Sequence, residues 1–134
     1  MINKSISYNI VLTGTSSGIG SDLGNYLTKK GHKVIGLSRR INLKNKFKTI
    51  KCDISNFKQL EKVLKKIKNA DCLINNAGIA RSVIKSEIKN FDKIIQTNLN
   101  GAYYMSHLLK KKLCKSGKSS IINIGSISGH QGSS

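Results

Sequence analysis

Three glycines sit where backbone has to come close to an anion. They lie in Thr13-Gly14-Thr15-Ser16-Ser17-Gly18-Ile19-Gly20, directly after the apolar run Ile10-Val11-Leu12. A glycine permits a tight turn, and its missing Cβ lets main chain approach a pyrophosphate. The helix expected beyond it presents unpaired N–H groups to the same anion. A second cluster, Leu37-Ser38-Arg39-Arg40, ends the next apolar run, and no Asp or Glu stands between Asp22 and Asp53. In a nucleotide-binding βαβ unit a carboxylate at that place bonds the ribose hydroxyls of NAD, whereas Arg accommodates the 2′-phosphate of NADP. Two guanidinium groups without a carboxylate favour NADP(H) over NAD(H). Asp53-Ile54, Asn75-Asn76-Ala77-Gly78, Asn98 and Ile124-Gly125-Ser126 complete the candidates. Asn98 falls inside an apolar helical stripe, where an amide is costly unless it finds partners. Ser126 lies just past a strand's carboxyl end, where ligands bind in open α/β sheets; Ser128 is the weaker candidate.

These positions require short strands alternating with amphipathic helices. Strands are predicted at Ile10–Leu12, Val34–Leu37, Ile50–Cys52, Cys72–Ile74 and Ile121–Ile124. The first helix places Ile19, Leu23, Tyr26 and Leu27 on one face and stops at Gly31. A second runs from Asn56 to Lys68 with Phe57, Leu60, Leu64 and Ile67 inward, and Ser55 is its better-placed cap. A longer helical region, about Glu87 to Leu113, carries the stripe Phe91, Ile95, Ala102, Met105 and Leu109. Such alternation means βαβ units, hence a doubly wound, Rossmann-like parallel sheet of about five strands in three αβα layers. One NAD(P)-binding domain over residues 1–134 is expected.

The composition excludes several classes. No apolar stretch approaches the roughly 18 residues of a membrane span, and the N-terminal residues lack the apolar core of a secretion signal. Cys52, Cys72 and Cys114 are odd in number and form no C-x-x-C pair, which suits reduced thiols in a cytoplasm. The net charge of +18 raises the prospect of nucleic acid. Against it, 21 of the 24 basic residues are Lys, spread along the chain without interleaved aromatics.

In order and spacing, TGxxxGIG, NNAG, Asn98 in a long helix and Ile124-Gly125-Ser126 resemble the short-chain dehydrogenase/reductase family, from Ile10 to Gly132. The resemblance implies hydride transfer between a nicotinamide cofactor and a small-molecule carbonyl or alcohol, by a homo-oligomer. It implies cofactor contacts at Gly14, Ser16, Ser17, Gly18, Ile19, Gly20, Arg39, Arg40, Asp53, Ile54, Asn76, Ala77, Gly78 and Ile124. Asn98 would hold a water in a proton relay, and Ser126 would donate to the substrate carbonyl. The family's acid, a Tyr in Tyr-x-x-x-Lys, is expected about a dozen residues after the Ser and is absent. Tyr26 and Lys30 have that spacing but sit on the first helix, with Tyr26 expected in its buried stripe. His130, a loop residue, is a poor substitute. This chain is therefore expected to be an inactive N-terminal portion of such an enzyme. The alternatives are a dinucleotide-binding module without chemistry and, behind it, a basic nucleic-acid binder.

Overall fold

The computed structural model describes residues 6–80 and 88–131. The expected helix start at Glu87 and the end of the resemblance at Gly132 lie outside them. Along the chain run β1 (Asn9–Thr13), α1 (Gly18–Lys29), β2 (Lys33–Ser38), β3 (Lys48–Lys51), α2 (Phe57–Leu64) and β4 (Cys72–Asn75). Then follow α3 (Ile88–Ile94), a π-helical turn (Ile95–Asn100), α4 (Gly101–Lys115), β5 (Ser120–Asn123) and the short α5 (Ser128–Gln131). The five strands form one parallel sheet in the order β3-β2-β1-β4-β5. Alternation along β1 makes two cores. Ile10 and Leu12 pack with Val34, Ile74, Leu23 and Leu27 on the α1 face, while Val11 joins Leu60, Leu64, Met105 and Leu109 on the α2–α4 face. The expected three-layer doubly wound fold is the observed one.

Several local expectations fail for identifiable reasons. In α1 the fully buried residues are Gly20, Ser21 and Gly24; of the expected stripe Leu23 and Leu27 pack half-buried on the core, whereas Ile19 is 64% and Tyr26 57% exposed. The helix meets its neighbours through small residues: a Cβ on Gly24 would collide with the Phe47 ring. Tyr26 instead faces solvent, with Lys30 Nζ 5.5 Å from its ring centroid. Helix α2 ends at Leu64 rather than Lys68, although Ile67 is still buried, and Phe57 is exposed at its start. Asn56 caps it, its Oδ1 accepting Gln59 N–H at 3.0 Å. Ser55 is not free to cap, because its hydroxyl donates to Asp53 Oδ1 at 2.7 Å. In the long helical region the π turn shifts the inward stripe. Phe91 is exposed, and the buried line is Thr97, Gly101, Met105, Leu109 and Leu113. The expected Met105 and Leu109 are buried; the miss lies upstream at Phe91, because the extra residue in the π turn puts the preceding helix out of phase with the stripe.

At the opposite end of the sheet from the strands' carboxyl ends, Asp71 ties three strands together. Its Oδ2 accepts the N–H and the side-chain Nδ2 of Asn9, both at 2.7 Å, and its carbonyl accepts Ser120 N–H at 3.1 Å. The backbone bond from Asn9, ahead of the opposing effect of burial, holds the carboxyl below its ordinary value. A depressed folded-state pKa adds stability above the ordinary value, near 4, and that stability is lost as pH falls through the depressed value. Asp71→Ala should cost about 1 kcal/mol at pH 7, modest because the group is part exposed. Urea melts from pH 7 to pH 2 should show the gap between wild type and variant closing on the acid side. A gap independent of pH would remove the charge from the explanation.

Candidate functional site

Going from β1 through β2 to β3 the chain winds one way across the sheet, then returns to place β4 on β1's other side. Beyond the carboxyl ends of β1 and β4 the connections diverge and leave a crevice, the usual ligand position of such sheets. Its first lobe, about 320 Å³, lies over β1 to β3, and the second, about 860 Å³, reaches β5. The lobes share Ile19, Asn76, Ala77, Gly78 and Ile79. A two-lobed trough of this kind fits one elongated ligand better than two compact ones.

The glycine turn forms the floor of the trough. Gly14 has φ +75°, and a Cβ there would stand 2.7 Å from Ala77 Cα. A Cβ on Gly20 would run into the Gly14 carbonyl and lie 2.5 Å from Asn76 Nδ2. Only glycine lets strand end, helix start and the β4 loop converge this closely. The junction is held by Thr13 and Asn76. The buried Thr13 hydroxyl accepts the N–H groups of Asn76 (3.0 Å) and Ala77 (2.9 Å). The Asn76 amide in turn donates to the carbonyls of Thr13 (3.0 Å) and Gly14 (3.3 Å).

The structure brings Gly14, Ser16, Ser17, Ile19 and Gly20 together with Arg39, Arg40, Asp53, Ile54, Asn76, Ala77 and Gly78 around the first lobe. Gly18 does not line it; its φ of +54° starts α1 beside the trough. Arg39 and Arg40 are exposed at the rim, with the Ser38 hydroxyl donating to the Arg40 carbonyl at 2.5 Å. Ile124 and Ser126 line the second lobe with Asn98. Leu37, Ser38, Cys52, Ile79 and Thr97 line the first lobe without having been singled out. For Leu37, Ser38 and Cys52 the signal was available, since each ends a strand or follows one. Burial, then the neighbouring Asp53 charge, pushes the Cys52 thiol up to about 11, so it is an uncharged wall rather than a nucleophile.

Asn98 is exposed, not embedded in apolar surface, yet both ends of its amide are used. Its Oδ1 accepts Ile79 N–H at 2.8 Å and its Nδ2 donates to the Ile79 carbonyl at 2.9 Å. Asn98 sits in the π turn and reaches the loop after β4 through these two bonds. Ser126 Oγ accepts Ser128 N–H at 3.2 Å, leaving the hydroxyl proton free to donate. Tyr26 and Lys30 line neither lobe, and His130 sits exposed on α5. Among the described residues no group of His, Cys, Asp and Glu is suited to a metal, and no helix is long and apolar enough to cross a membrane.

A parallel αβα sheet with a glycine-floored trough at its switch point defines a nucleotide-binding class of α/β protein. Within that class the chain belongs to the short chain dehydrogenase family, whose pattern it matches over residues 8–134. It is 35% identical over 132 residues to the 3-oxoacyl-(acyl-carrier-protein) reductase of Rickettsia typhi, covering 91% of this chain and 55% of that protein. The chain thus spans about half the length of the curated relatives it matches. Two solved structures are similar. A 4-hydroxyisoleucine dehydrogenase complexed with NADH is 31% identical with a TM-score of 0.83, covering 95% of this chain and 59% of that one. A short chain dehydrogenase of Leptospira borgpetersenii with bound NAD+ is 28% identical with a TM-score of 0.83, covering 96% and 55%.

Proposed function

We propose that this chain is the cofactor-binding portion of an NADP(H)-dependent oxidoreductase acting on a small-molecule carbonyl or alcohol. The observation that carries the reading is the Gly14–Gly20 floor, where a Cβ on either glycine would strike its neighbours, beside a β2 end bearing Arg39 and Arg40 and no carboxylate. When bound, the nicotinamide would supply or accept the hydride. The glycine turn and the α1 N-terminus would receive the pyrophosphate, with Ser16 and Ser17 at hand. Asp53 and Ile54 would flank the adenine, and Arg39 and Arg40 would pair with a 2′-phosphate. The NAD+ and NADH named with the two similar structures support a nicotinamide dinucleotide; the preference for the phosphorylated form rests on the arginines.

At the other end of the trough, Ser126 would donate its free hydroxyl proton to the substrate oxygen as negative charge develops there. Asn98, its amide engaged with Ile79, would hold a relay water at the second lobe, beside Ser126. Among the described residues neither lobe is lined by a Tyr together with a Lys, so the general acid of the reaction is assigned to none of them. The Rickettsia relative's name favours a 3-oxoacyl thioester among carbonyl substrates. The test is fluorescence titration of NADPH and NADH into the purified chain at low salt. Saturable binding with NADPH at least about tenfold tighter is expected. Equal affinities would remove the arginine assignment, and no binding of either would remove the cofactor reading.

A further inference from the structure

The connection from β2 to β3 crosses between parallel strands with no helix in it. Parallel crossovers usually take a dozen or more residues and a helix, yet here residues 39–47 suffice. Side chains do the work a helix would do. Phe47 fills the space against Gly24 and Gly36, where a Cβ on Gly36 would stand 2.7 Å from its ring. Asn25 Oδ1 accepts Lys46 N–H at 2.7 Å. Asn42 Oδ1 accepts Lys44 N–H at 3.0 Å, and its Nδ2 donates to Ser21 Oγ at 3.3 Å. Asn45 bridges the two sides of the gap. Its Nδ2 donates to the Thr15 carbonyl at 2.8 Å, inside the glycine turn, while its Oδ1 accepts the hydroxyl of buried Ser21 at 2.7 Å.

We infer that Asn45 is a positioning residue for cofactor selectivity: it pins the Arg39–Phe47 loop to the glycine turn and so sets where the guanidinium groups of Arg39 and Arg40 stand relative to the phosphate-binding floor. It lines neither lobe of the trough, so it acts through Thr15 and Ser21 and not by touching ligand. The loop holds one backbone turn bond of its own, from Asn45 N–H to the Asn42 carbonyl at 3.2 Å, so each side-chain anchor lost adds freedom that an arginine must give up on pairing. Arg39 and Arg40 are exposed; on the β2 side they are tied to the turn by the Gly14 N–H to the Leu37 carbonyl (2.8 Å), the Thr15 hydroxyl to Ser38 Oγ (3.4 Å) and the Ser38 hydroxyl to the Arg40 carbonyl, and Asn45 is the anchor on the other side of the loop. The consequence falls on the phosphate attached to the ribose and not on the adenine, whose neighbours Asp53 and Ile54 come from β3's end.

This inference rests on the dinucleotide reading, and its test separates the two. Calorimetric titration of 5′-AMP and 2′,5′-ADP into the full chain at low salt compares wild type, Asn45→Ala and Ser21→Ala. Wild type should prefer 2′,5′-ADP. Asn45→Ala should lower 2′,5′-ADP affinity roughly tenfold and 5′-AMP affinity by less than about twofold, collapsing the ratio. Ser21→Ala, which spares the Thr15 anchor, should do the same to a smaller extent, and it carries the test if Asn45→Ala does not fold. A purely structural role would weaken both ligands in proportion to the folded fraction, leaving the ratio intact and overturning the inference. An unchanged ratio in a well-folded variant overturns it too, while leaving dinucleotide binding in place. Failure of wild type to bind either nucleotide overturns the dinucleotide reading and this inference with it.

Discussion

Gly20→Ala should abolish measurable dinucleotide binding, a loss of at least about 100-fold, while leaving a folded protein. The added methyl has no free direction. Its carbon would overlap the Gly14 carbonyl and lie 2.5 Å from Asn76 Nδ2. Both are main-chain or tightly bonded groups, since Asn76 Nδ2 is already held by the carbonyls of Thr13 and Gly14. Relief therefore has to come from lifting α1 off the turn, which withdraws the helix N-terminus from the anion site. The cost to stability should be about 1–3 kcal/mol, the usual range for overpacking. Gly129→Ala is the control, because a Cβ there meets nothing within 4 Å. Binding that survives Gly20→Ala within about threefold would show that the glycine floor is a folding device only.

Arg39→Asp should reverse the coenzyme preference. Removing a guanidinium takes away a charge-assisted partner for the 2′-phosphate, and the new carboxylate both repels that phosphate and offers ribose hydroxyls an acceptor. A combined change of roughly 100-fold in the NADPH-to-NADH affinity ratio, or about 2.7 kcal/mol, is expected. NADPH affinity should fall less steeply with salt in the variant than in wild type, since one of the two rim charges facing the 2′-phosphate is reversed. Parallel titrations at two ionic strengths measure both effects. A variant that loses affinity for both cofactors equally would place Arg39 in the loop's structure rather than in its recognition.

What the residues disclosed in advance follows from how local each signal is. Four of the five strands are built on short apolar runs bounded by polar residues, and helices between β1 and β2, β3 and β4, and β4 and β5 make those connections parallel crossovers. Thr13-Gly14 and Asn76 were legible because a close approach demands glycine and a polar clamp. The face of α1 was legible only in part: Leu23 and Leu27 pack on the core as expected, but its fully buried surface is Gly20, Ser21 and Gly24, residues that carry no hydrophobic signal. The break in the long stripe was not legible, since a single extra residue in one turn leaves no mark in composition: Met105 and Leu109 are buried as expected, but Phe91, ahead of the π turn, is exposed. Asn45 was equally silent. It is one Asn among many in this chain, and its importance comes from partners 24 and 30 residues away. The Tyr26–Lys30 pair shows the reverse error averted: the spacing matches a catalytic motif, but the side chains stand outside the trough.

The clamp between Asn76 and Thr13 joins residues 63 apart in the chain, whereas the start of β1 meets the end of α1 across only 24, as at Tyr8 and His32. Closing a longer loop costs more entropy, and contacts of high sequence separation form late unless they belong to the nucleus. The β1–α1–β2–β3 half can thus assemble by near-neighbour contacts before β4 arrives, with the short Arg39–Phe47 loop keeping β3's contribution local. In that order the glycine turn takes shape while one wall of its trough is still missing. Ligand capacity therefore depends on the long-range closure that Asn76 makes between β1 and the β4 loop, and not on the β1–β3 half alone.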